Sequence, residues 1–141
     1  MALVFIKIRA FETKKINGCL IMKKKMNQLW SELKDIEQLD ELVTLSDSTP
    51  VFIFKHSVSC GISAQAKENL EIAMAKTDKK IIFYYLDLIK YRSISNEIAS
   101  RFGVTHQSPQ ILFIKGGKVI FTTSHHKIRP DIIEESLSLQ T

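Results

Sequence analysis

A chain of 141 residues, 45% hydrophobic and 25% charged, is long enough for one domain with a real core and too short for two ordinary ones. The formal net charge of +5 suggests nucleic-acid binding, but seven Lys and Arg stand in residues 1–25 against the single acid Glu12, leaving −1 for residues 26–141 and no basic face for phosphates. The two cysteines, Cys19 and Cys60, make no disulfide framework, and no Cys or His stands at metal-ligand spacing from Cys60, so no metal is expected and a cytoplasmic, reducing compartment fits best.

In chain order, the apolar run Ala2–Ile6 is interrupted by Lys7 and Arg9 before a signal-peptide core forms, and no stretch approaches the roughly 18 apolar residues of a membrane helix. Lys23-Lys24-Lys25 precedes Met26, so residues 1–25 are expected to be a basic extension, disordered or a mis-assigned start, with the domain spanning 26–141. Leu29, Leu33, Ile36, Leu39, Leu42 and Val43 recur at helical spacing, with Asp35 as a cap, and the cluster Ser46–Pro50 ends that helix. Residues 51–54 are continuously apolar, as in a strand covered on both faces. A helix follows from about Cys60 to Lys76, a second central strand from Ile81 to Leu86, and a helix from Ser93 to Arg101 that Gly103 stops. After the loop Val104–Pro109, strands Gln110–Lys115 and Lys118–Thr123 flank Gly116-Gly117, a two-residue hairpin signal, and Pro130 opens a last helix to Leu139. A β-α-β unit followed by a hairpin and a helix is the ground plan of an α/β, thioredoxin-like fold, with a mixed central sheet of about four strands flanked by helices.

Cys60 sits where a strand feeds a helix. The first helical turn offers unpartnered N–H groups and a partial positive charge, which favour a thiolate over a thiol and make Cys60 a candidate nucleophile; its other reading is a small buried apolar residue. Ser63 stands where a Cys-x-x-Cys pattern has its second sulfur, one turn from Cys60. It is either a hydroxyl donor to the thiolate or a solvated helix-start residue, and a hydroxyl cannot resolve a mixed disulfide. His56 either adds positive potential or a proton, or ends the strand pointing to solvent, and Lys55 has the same two readings. In this topology the Ser108-Pro109 loop faces the cysteine, Pro109 is a candidate for a cis bond, and the Ser108 backbone is placed to pair with an extended substrate. Tyr84 and Tyr85 read as sheet packing, Trp30 as an anchor for the N-terminal segment, and His125 and His126 as exposed turn residues.

Phe54–Ser63, Tyr84–Asp87, His106–Gln110 and Ser124-His125 together resemble the monothiol bacilliredoxins of the thioredoxin superfamily, over about residues 27–139. That family typically reads Thr-Cys-Pro-Ile-Ser at its active site, so Cys60, Ile62 and Ser63 match while Ser59 and Gly61 depart. The resemblance implies that Cys60 takes bacillithiol from thiolated client proteins as its own mixed disulfide, with Ser63 catalytic beside it and Ser59, Gly61, Ile62, Ser108 and Pro109 contacting substrate. It implies no bound cofactor, a low-molecular-weight thiol as co-substrate, and neither nucleic acid nor membrane as partner. Two other functions share the scaffold: a glutathione-type monothiol oxidoreductase, and a non-catalytic binding or thiol-sensing module.

Overall fold

The computed structural model describes residues 30–139; the expected basic extension 1–25, Cys19 and the remaining ends of the expected domain lie outside them. In order, the elements are β1 (Trp30–Glu32), α1 (Ile36–Leu45), β2 (Val51–His56), α2 (Gly61–Lys76), β3 (Ile82–Asp87), α3 (Arg92–Phe102), β4 (Gln110–Lys115), β5 (Lys118–Ser124), a 3-10 turn (His125–Lys127) and α4 (Ile132–Ser138). The sheet order is β1-β3-β2-β4-β5, with β3 parallel to β1 and β2, and β4 antiparallel to β2 and β5. This is the expected thioredoxin-like arrangement.

The sheet has five strands, because the helix expected from Leu29 begins only at Ile36. Asp35 stops it: its carboxylate accepts from Gln38 N–H at 2.9 Å, and the Gln38 side-chain Oε1 accepts from Asp35 N–H at 3.2 Å and Lys34 N–H at 2.6 Å. This capping box fixes the first turn and leaves the preceding residues extended. Trp30 then pairs with Phe83, and Leu33 N–H donates to Tyr85 C=O at 2.8 Å. The indole packs on Phe54, Phe83 and Tyr85, so Trp30 does anchor this segment to the sheet. At the other end, α4 starts two residues after Pro130, which lies in a turn closed by Ile132 N–H to Arg129 C=O at 3.1 Å.

Successive residues of β2 face opposite sides, and each side has its own core. Phe52 and Phe54, with Phe83, Ile111 and Phe113, pack beneath Ala66, Leu70 and Ala73 of α2 and Ile132, Ile133 and Leu137 of α4. Val51 and Ile53, with Tyr84, Leu86, Leu112 and Ile114, pack against Leu39 and Leu42 of α1 and Ile94 and Ile98 of α3. With both faces covered, the continuous apolar run of β2 is what burial requires. The hairpin is made by Gly116 and Gly117 at φ +59° and +74°, the left-handed conformations such a tight turn needs. Their N–H groups donate to the backbone carbonyl and hydroxyl of buried Ser46, each at 2.8 Å, tying the hairpin to the end of α1. The central strand β2 is thus held on both edges and both faces, and its C-terminal end delivers Cys60.

Candidate active site

Beyond His56 the chain turns through Ser57–Ser59 and enters α2 with Cys60 as N-cap, its backbone extended at φ −102° and ψ 124°. Cys60 N–H donates to Ser57 C=O at 3.1 Å, and Cys60 C=O accepts from Ala64 N–H at 3.0 Å, which leaves the Gly61, Ile62 and Ser63 N–H groups without intrahelical partners. No acidic side chain occupies the first turn of α2. The cysteine is free and half-buried, with exposed Val58 and Ile62 on either side. A Cβ at Gly61 would meet nothing within 4 Å.

Ser63 is fully buried, which removes its reading as a solvated residue. Its Oγ accepts from Ser57 N–H at 3.0 Å and lies 2.7 Å from His56 Nδ1; among the described residues no hydrogen bond joins it to the Cys60 sulfur. His56 is also buried, at 5% exposure, between the rings of Phe54 and Tyr85 at 5.4 Å each, so it does not point to solvent. Burial, then the Lys67 charge, holds its pKa below the ordinary histidine value against the opposing pull of Asp87, Ser63 and Glu71. Both influences favour the neutral ring over the imidazolium.

Lys55 is fully buried on the opposite face, which likewise overturns the solvent reading. Its Nζ donates to Ser95 C=O at 3.2 Å, and burial lowers its pKa to about 8. Nearby, Ser95 Oγ is 3.2 Å from His106 Nδ1, whose pKa is lowered by burial, then by Lys55 and Arg92.

The Ser108–Pro109 peptide is cis. Since Lys55 pairs with Gln110, the antiparallel register carries Pro109 to the level of His56, at the sheet end where Cys60 emerges. Pro109 is buried and Ser108 half-buried, and Pro109 C=O accepts from His125 N–H at 3.0 Å. Gln110 braces the loop from inside, accepting from Gln107 N–H at 3.2 Å and donating to Thr105 C=O at 3.1 Å. Ser59, Gly61 and Ile62 are exposed around Cys60, so all the residues named from the sequence collect at this end of the sheet, with Ser63 and His56 beneath the surface.

His125 and His126 belong here too. His125 takes a left-handed φ of +56°, and both flank a groove of about 250 Å³ with Gly61, Ile62, Gln65 and Asn69. The Ser124-His125 pair in the bacilliredoxin pattern was the available signal; the tie to Pro109 could not be read from residue order. A larger hollow of about 420 Å³ beside β5 has no residue of α2 in its lining and shares no lining residue with the groove beside Gly61 and Ile62. Among the described residues no His, Cys, Asp and Glu cluster could hold a metal ion, and no helix is long and apolar enough to cross a membrane.

A half-buried cysteine at the start of a helix, beside a cis-proline loop in this sheet order, defines a thiol redox protein of thioredoxin fold. The family model described as monothiol bacilliredoxin BrxC matches residues 31–133, and the chain belongs to that family. Among solved structures it is similar to one described as a candidate oxidoreductase with a thioredoxin fold, at 26% identity and TM-score 0.71 over 79% of this chain and 96% of that one. Thioredoxin from Trypanosoma brucei brucei (16% identity, 77% and 87% covered, TM-score 0.61) and mitochondrial thioredoxin 3 from Saccharomyces cerevisiae (15%, 80% and 97%, 0.62) share the fold.

Proposed function

We propose that this protein removes bacillithiol from mixed disulfides on cytosolic client proteins by a monothiol route through Cys60. The Cys60 thiolate attacks the bacillithiol sulfur, the client leaves as its thiolate, and Cys60 holds bacillithiol in a new mixed disulfide. A second low-molecular-weight thiolate then attacks that bond, leaving as a disulfide with bacillithiol and returning Cys60 to thiolate; no electrons are gained or lost beyond this exchange. The observation that carries the reading is the half-buried Cys60 at the N-cap of α2, with three unpartnered N–H groups beside it and a hydroxyl, Ser63, at the position of a resolving sulfur. The helix-start N–H groups favour the negative sulfur. Ser59, Gly61, Ile62 and the Ser108-Pro109 loop are the surface on which the substrate would lie, and Ser63, buried beneath Cys60, holds the Ser57 turn and His56 in place under it.

The test is to offer the reduced protein a bacillithiolated and a glutathionylated protein and weigh the products. The reading expects faster transfer from the bacillithiolated one and none to a Cys60→Ala variant. Equal or faster transfer from the glutathionylated protein would select a glutathione-type oxidoreductase, and transfer unaffected by Cys60→Ala would remove the mechanism.

A further inference from the structure

We propose that the groove between α2 and the turn after β5 seats the small-thiol half of the mixed disulfide, with His125 and His126 taking a carboxylate of that half, a reading that rests on Cys60 being the nucleophile. The groove, about 250 Å³, begins one residue from the cysteine: Gly61 and Ile62, which follow Cys60, line one wall, and Gln65 and Asn69 continue it. Gly61, Gln65 and Asn69 stand four apart, so this wall follows one face of the helix away from Cys60. A group on the sulfur therefore has to pass only one residue, about 3.8 Å along the chain, to enter.

The opposite wall is His125 and His126. Hydrogen bonds fix the two walls to each other and to the cis-proline loop. Asn69 Nδ2 donates to Ile128 C=O at 2.9 Å, Ile128 N–H donates to His125 C=O at 3.2 Å, and His125 N–H donates to Pro109 C=O at 3.0 Å. The width of the groove is thus set by the fold, which spares a ligand the cost of ordering it. His125 keeps a left-handed φ of +56°, a costly backbone for a residue with a Cβ and of the kind retained at ligand sites.

No acidic side chain lines the groove; besides Ile62 it offers carboxamides and imidazoles. His125 Nδ1 lies 3.1 Å from Ser124 Oγ, which holds that ring at one nitrogen. Among the described residues, neither its Nε2 nor the His126 ring has a hydrogen-bond partner. With hydrogen on Nε2, each ring has a donor to give, and a carboxylate has an oxygen for each. The volume lies below the roughly 300–1,000 Å³ of pockets that hold a whole ligand, and it suits a fragment whose other end is already bonded to Cys60. Because that bond keeps the fragment at high local concentration, weak contacts suffice. Bacillithiol and glutathione both carry carboxylates remote from the sulfur, so the shared ligand chemistry is a carboxylate-bearing thiol.

The consequence is direction of attack. The Cys60 thiolate forms a bond to the sulfur of the half seated in the groove, the old S–S bond breaks, and the other half leaves as a thiolate with the electron pair. On a thiolated client the seated half is the small thiol, so the client is the half released.

The experiment follows, by rate and by mass, adduct formation on Cys60 with dithiodipropionate and with its uncharged diamide, which differ only at the carboxylate. Each rate is divided by that of free mercaptoethanol with the same disulfide. Glutathione disulfide and bacillithiol disulfide are then run in the same way. The proteins are the wild type, Gln65→Glu, His126→Gln and Lys79→Gln, each checked for folding by its melting transition. Gln65→Glu brings a like charge into the groove at an exposed position without changing side-chain size. Lys79→Gln makes the same change in net charge beyond the far end of the 16-residue α2, roughly 24 Å away. The wild type is expected to prefer the carboxylated probe about threefold, and Gln65→Glu and His126→Gln each to remove that preference while the diamide rate stays unchanged. Lys79→Gln keeps the preference. Gln65→Glu also slows reaction with whichever natural disulfide the groove takes; slowing with glutathione disulfide alone supports the groove and removes bacillithiol as the substrate. No wild-type preference, an equal loss in Lys79→Gln, or no slowing with either natural disulfide overturns the assignment. A wild type that reacts with no probe removes the nucleophile, and the groove's role with it.

Discussion

Lys55 and His56 are neighbours on β2, both buried and both polar, yet they lead to opposite sides of the sheet and to different ends. His56 is joined at 2.7 Å to a hydroxyl in the first turn of the helix that carries the cysteine; Lys55 ends on the carbonyl of Ser95, in the helix layer on the far face. Burial penalises the charged form of each, lowering both pKa values, but only on the His56 side does the polar chain reach the first turn of the helix that Cys60 caps. A buried ionisable side chain therefore shows function by what it is connected to, and the depth of burial alone says little.

The largest break in this comparison is to remove the hydroxyl that joins His56 to α2. Ser63→Ala leaves His56 Nδ1 and the Ser57 N–H without their partner, and we expect a loss of about 2–4 kcal/mol in denaturant unfolding. No change in stability would mean the pair is not buried and bonded as described.

On the other face the sign reverses. Lys55→Met exchanges an ammonium held by one carbonyl for a side chain of similar length, and stability at pH 7 is expected to rise by about 1–3 kcal/mol with the disulfide-exchange rate unchanged. The pH dependence checks the cause. The folded Lys55 titrates at about 8 and the unfolded side chain at 10.5, so between those values the unfolded state binds more protons and stability rises with pH. The penalty is fully present below pH 8 and is relieved above it. Lys55→Met abolishes that rise. It is best read between pH 8 and 10, because Tyr85, pushed up to about 12 by burial and then Asp87 and Glu32, keeps its proton when folded and lowers stability above pH 10. A fall in disulfide-exchange rate in Lys55→Met would erase the distinction between the faces.

The smallest effect is at the helix start. Gly61→Pro enters the first helical position, where the lost N–H had no intrahelical partner and a Cβ meets nothing, and thermal unfolding should show a gain of about 0.4–1 kcal/mol. Destabilisation instead would show that the turn beneath Cys60 needs the freedom of glycine.

Much of this was legible in residue order, because long periodic segments and turn residues speak locally. Gly116-Gly117 announced the hairpin, and the apolar run before Cys60 announced a covered strand feeding a helix. β1 was missed because three residues are too few to show a period of two, while Leu29 and Leu33 stand four apart and extend the helical spacing of α1 backward. For Lys55 and His56 residue order leaves two readings open, a source of positive potential or a proton and a strand end facing solvent, although counting by twos from Phe52 and Phe54 puts His56 on the same inner face; the strand simply stays covered two residues further than its apolar run. That Ser63 turns inward to His56, and that His125 bonds back to Pro109, are relations between distant or adjacent elements that only the folded chain displays.

The most direct test of the account is the intact and peptide mass of the reduced protein after mixing with a bacillithiolated client. The account predicts one bacillithiol per chain, localised to Cys60, with the client returned to its free thiol. A client released with Cys60 unmodified, or an adduct that persists in the Cys60→Ala variant, would contradict it.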